Sequence, residues 1–123
     1  MKYEPQYERL VAEGPGQKRY EAEFLRAGFL TLGDSPELYF FRLRELQENE
    51  AHGKEEEAVV GISGRALGSF EAGRRRLSRE EKIDLAGLLL KQRIEAGKAL
   101  DSQNLFIRDE ELARLSKELG LPE

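Results

Sequence analysis

Apolar positions along the chain fall into amphipathic segments set apart by strong breakers. Residues 3–13, YEPQYERLVAE, read as a helix that Gly14-Pro15-Gly16 ends. The next segment, QKRYEAEFLRAGF, places Tyr20, Phe24 and Ala27 on one face, a helical spacing. Asp34-Ser35-Pro36-Glu37 has the marks of a helix start: a capping side chain, a proline in the first turn and a carboxylate at the positive dipole end. The spacing predicts a helix over SPELYFFRLRELQENE, with Tyr39, Leu43 and Leu46 on one face and Gly53 as its stop. A strand competes there, because LYFFRL is rich in aromatic residues, but the cap favours the helix. EEEAVVG, residues 55–61, fits either a short helix or the lead into a buried strand.

Two later segments carry clearer signals. Ser78 opens a capping box with Glu81. The helix that follows, ending near Gly97, has an unusually wide apolar surface from Ile83 to Leu90, suited to the centre of a core or a dimer seam. RDEELARLSKELGLP spaces Leu112, Leu115 and Leu119 helically and closes on Gly120 as a C-cap.

Composition narrows the class. The chain has 123 residues, 39% of them apolar, enough for one folded domain. Charged residues make up 36%, yet the net charge is only −4, so the signs are mixed and any nucleic-acid surface must be local. Aromatic residues concentrate before residue 42, which predicts that the N-terminal third packs against the rest. No apolar run is long enough to span a bilayer, and the N-terminus has no signal-peptide apolar region; a soluble, cytoplasmic protein without membrane contact is expected.

The same composition removes most site chemistry. With no cysteine, disulfides, thiolate zinc sites and thiol catalysis are excluded. The single histidine, His52, lies in a polar run and reads as an exposed loop residue. Carboxylates such as Glu55-Glu56-Glu57 read as a solvated face, and neither a calcium loop nor a phosphate-binding loop is present. No enzyme activity, cofactor or metal is expected.

The segment GISGRALGSFEAGRRRL, Gly61–Leu77, is the most informative. Gly61-Ile62, the cap Ser63, the anchors Leu67 and Phe70, the run Glu71-Ala72-Gly73-Arg74-Arg75-Arg76, and then Ser78 with Leu85-Ala86, together resemble the second half of a Cro/C1 (Xre-type) helix-turn-helix domain. RLRELQENE resembles that family's first helix and EEEAVVGIS the end of its second, so the likeness spans residues 42–90. Glu57 stands where the family has alanine, and Gly64 and Gly68 interrupt the recognition helix. The resemblance implies that Ser63, Arg65 and Ser69 face base edges, while Arg74, Arg75 and Arg76 contact phosphates.

The resulting expectation is a mainly α fold within a single domain. Residues 1–36 would form an N-terminal extension, residues 37–97 a helix-turn-helix-like core, and residues 98–123 a C-terminal helix. The alternative is an α+β fold with a short strand pair at 56–70, turning at Ser63-Gly64 with a bulge at Gly68. The functional expectation is a dimeric DNA-binding transcriptional regulator on a palindromic site, seamed through the Ser78 helix or the C-terminal helix. Its rival is a non-catalytic protein-binding or inhibitory factor, phage-like or accessory, acting on a host protein complex.

Overall fold

In four segments, inward-facing apolar side chains alternate with outward-facing polar ones, and these become strands. The computed structural model describes residues 3–46 and 55–121. Its strands are β1 (Arg9–Glu13), β2 (Arg19–Phe29), β3 (Glu37–Leu46), β4 (Glu55–Ile62) and the short β5 (Phe106–Ile107). Its α-helices are α1 (Gly64–Glu71), α2 (Arg79–Glu95) and α3 (Asp109–Leu119). Strands β1 to β4 form an antiparallel meander, and β5 adds in parallel beside β4. The sheet is curled, and the fold is α+β rather than mainly α.

Three helix expectations are therefore corrected. Residues 3–13 contain β1, residues 17–29 contain β2, and the segment from Glu37 is β3. The reason lies in the spacing. Tyr20 and Phe24, like Tyr39 and Leu43, are four apart, which suits a helical face and a strand face equally. The residues between them decide. Ala22 and Phe41 are fully buried on the same side of the sheet, as period two requires. Asp34-Ser35-Pro36 caps nothing here and forms the loop between β2 and β3. The expected stop at Gly53 and the loop residue His52 lie outside the described residues.

The helix-turn-helix core is corrected for the same reason: its first two helices would fall on β3 and β4. The strand pair at 56–70 is only half present. β4 covers Glu55–Ile62, but beyond Ser63 the chain is helical.

The inner face of the sheet, with Leu10, Ala22, Phe41 and Val60 buried, lies against α2. Ser78 caps α2 with its capping box formed, and every residue from Ile83 to Leu90 is buried. The wide apolar surface of this helix is thus used inside the monomer. α3 packs on α1 and α2 and ends at Gly120 in the left-handed conformation. On the outer face, cross-strand rows of alternating charge run Arg9–Glu23–Arg42–Glu57, with Arg9–Glu23 and Arg44–Glu55 ion pairs at 3.2 and 2.7 Å.

Candidate functional site

The arrangement around Ser63 is built from two close approaches. Ser63 caps α1 by accepting from the Ala66 N–H at 3.1 Å, and its hydroxyl donates to the Asp34 carboxylate in the β2–β3 loop. A Cβ at Gly64 would collide with the Asp34 and Ser35 carbonyl oxygens. Glycine stands at the start of α1 because the loop backbone lies against it. Gly68 faces open space, so packing does not explain it.

The residues expected to meet DNA are placed unevenly. Ser63 is buried at 6% exposure and engaged with Asp34 and Ala66. Arg65 and Ser69 are exposed on α1. Arg74 stacks over the Phe70 ring, 4.8 Å from its centroid. Arg75 grips Glu81 with both terminal guanidinium nitrogens, Nη1 donating at 2.7 Å. Arg76 is exposed. The Arg75 hydrogen bond is the main cause holding the Glu81 carboxyl below the usual carboxylate range; burial opposes it and Ser78 assists. Arg75 and Glu81 thereby join the turn after α1 to the first turn of α2.

A second locus lies at the far end of the β2–β3 hairpin. A cleft of about 510 Å³ opens between the end of β2, with Ala27 and Phe29, and the first turn of α2, with Arg79 and Lys82. On its floor, the Glu37 carboxylate accepts from Lys82 Nζ at 3.0 Å and from the Tyr39 hydroxyl at 2.7 Å. Burial first, and then the bond to Glu37, push the Tyr39 hydroxyl pKa far above its ordinary value, so it remains a donor. The Arg79 guanidinium lies 5.5 Å from the centroid of the Phe24 ring and has no carboxylate partner among the described residues.

Beside this cleft the hairpin tip is apolar and exposed. Phe29 is 70% exposed, Leu30 47% and Leu32 77%, three of the five large apolar residues that stand out into solvent among the described residues. Backbone bonds from Leu30 N–H to the Pro36 carbonyl at 3.0 Å and from Ser35 N–H to the Leu32 carbonyl at 3.2 Å shape the tip. Sequence reading missed this locus. The available signal was FLTL directly before the turn residues Gly33-Asp34, where apolar side chains are not needed by a hairpin loop.

Among the described residues no group of three or more His, Asp or Glu is placed to hold a metal ion, and no helix is long and apolar enough to cross a membrane. No family model, curated protein or solved structure matches the chain.

Proposed function

We propose that this protein is a non-catalytic binding module that docks another protein through the β2–β3 hairpin tip and the cleft beneath it. The observation that carries this reading is the cluster of Phe29, Leu30 and Leu32, exposed together on a surface otherwise dominated by paired charges. Contiguous exposed apolar area of this kind marks interaction sites. Its chemistry also specifies the partner: a protein presenting an apolar side chain to the tip and a carboxylate to Arg79, the cleft cation without an ion pair among the described residues. Desolvated arginine and aromatic groups are the usual energetic centres of such contacts.

The experiment is affinity capture from extract with wild type and three variants, followed by binding measurements on the protein retained. Phe29→Ser/Leu32→Ser and Arg79→Glu should each lose the captured protein while keeping wild-type thermal stability, since these side chains are exposed. Arg65→Ala/Arg76→Ala should retain it. Capture unaffected by the tip and Arg79 variants would sink this reading. Retention of random duplex DNA at low salt, lost in Arg65→Ala/Arg76→Ala but not in the tip variants, would transfer the function to the exposed arginines around α1.

A further inference from the structure

Strand β1 is an outer strand of the sheet and, among the described residues, is paired to β2 alone. Two bonds at its ends establish which backbone groups face outward. The Phe24 N–H donates to the Glu8 carbonyl at 2.8 Å, and the Gly14 N–H to the Lys18 carbonyl at 2.7 Å. Both pairs continue the β1–β2 register, in which Leu10 opposes Ala22 and Ala12 opposes Tyr20. Hydrogen-bonded pairs recur at every second residue of an antiparallel ladder. Even-numbered residues therefore turn N–H and C=O toward β2, and Arg9, Val11 and Glu13 turn theirs to the free edge. The side chains of these same three residues stand on the outer face of the sheet, with Val11 50% exposed.

We propose that this edge pairs with β1 of a second copy, antiparallel about a two-fold axis at Val11, so that two sheets become one. The sequence RLVAE is self-complementary in that register. Val11 opposes Val11, and Arg9 of each copy opposes Glu13 of the other. All three opposed pairs have outward-facing backbone, giving about six new hydrogen bonds. The register is unique among its neighbours. Sliding by one pairing step sets Arg9 against Val11, and a further step sets Arg9 against Arg9 or Glu13 against Glu13. Like charges directly opposed are unfavourable.

The charge rows of the outer face point the same way. The row Glu57–Arg42–Glu23–Arg9 alternates in sign across four strands, and Glu13–Arg19 begins another. In the paired register Arg9 of one copy meets Glu13 of the other, so the alternation continues across the seam without a break. An edge guarded against pairing carries a charge, a proline or a bulge at its centre. This one carries an exposed valine, flanked by charges that attract their own symmetry mates. Isologous pairing of this kind is closed and stops at the dimer.

Sedimentation velocity of the full chain over a range of concentrations tests the proposal, with circular dichroism monitoring the fold. Wild type should sediment as a dimer that dissociates on dilution. Val11→Pro removes an N–H that β2 does not use, so the monomer should fold while the dimer dissociation constant rises about tenfold or more. Arg9→Glu alone sets like charges against each other twice across the seam. It also faces Glu23 within its own sheet, but exposed ion pairs of that kind contribute little to stability, so it should give a folded monomer. Adding Glu13→Arg to Arg9→Glu restores opposite charges across the seam and should restore the dimer. A wild type monomeric at every concentration would overturn the proposal. So would a dimer indifferent to Arg9→Glu, or one that the double variant fails to recover; these charge variants decide the matter even if Val11→Pro does not fold.

Discussion

Two glycines of the segment Gly61–Leu77, Gly64 at the start of α1 and Gly68 in its middle, have opposite roles. Replacing a mid-helix glycine by alanine gains about 1 kcal/mol where space allows. Gly68 faces open space, so Gly68→Ala should stabilise the fold by about 0.5–1 kcal/mol. Gly64 abuts the Asp34 and Ser35 carbonyl oxygens, so Gly64→Ala should destabilise by about 1–3 kcal/mol despite the gain in propensity. Urea denaturation of the two variants checks the contrast; equal effects would mean that the loop does not press on α1. Both residues were visible as helix-breakers in the sequence. Which of them was needed was not visible, because the contact comes from a loop some thirty positions away.

At the level of the element, the end signals at Ser78 and Gly120 were read correctly, while the helix start at Asp34-Ser35-Pro36 and the periods of β2 and β3 were not. The Ser78 capping box and the Gly120 cap are both present in the structure, since each is made by residues within a few positions of one another. Ser63 likewise caps a helix, but one that follows a strand. The misreadings of β2 and β3 came from pairs four apart, which carry no information on period, and from Ala27 and Leu46 three positions beyond them. In β2 the bulge between Phe24 and Arg26 returns Ala27 to the side of Phe24. The α2 start also yields a pH prediction. The Glu81 carboxyl is held below its ordinary range by Arg75, so its contribution to stability is complete above about pH 4.3, the unfolded value, and is lost as pH falls through the lower folded value. Glu81→Gln should therefore lower the melting temperature at neutral pH, with the deficit shrinking as both proteins are taken below about pH 4. Thermal melts across that range test it, and a deficit constant with pH would count against the ion pair.

At the scale of the whole molecule, the N-terminal segment is bound to α2 through one buried carboxylate. Asp84 is fully buried and accepts from the Tyr3 hydroxyl and from the Gln6 and Tyr7 N–H groups, the last at 2.7 Å, while Gly87 leaves room for the Tyr7 backbone. Burial, and then the bond to Asp84, raise the Tyr3 pKa, which keeps that hydroxyl a donor. Asp84→Ala would strand those donors and should cost about 3 kcal/mol in chemical denaturation; a loss under 1 kcal/mol would mean that water replaces the carboxylate at little cost. In the sequence Asp84 is the one polar residue of the apolar run Ile83–Leu90, with nothing to mark Tyr3 as its partner. By itself the sequence determined what local chemistry determines: where α2 begins, where α3 ends, and that the aromatic-rich N-terminal third belongs to the folded unit; whether Ser63 capped a helix or turned a strand pair it left open. Tertiary structure alone decided that Tyr20 to Phe24 and Tyr39 to Leu43 are strands, that Arg75 turns inward to Glu81, and that Phe29 and Leu32 face solvent. Those outcomes depend on which surface each segment meets, and contacts across the sheet and between distant loops leave no trace in the spacing of neighbours along the chain.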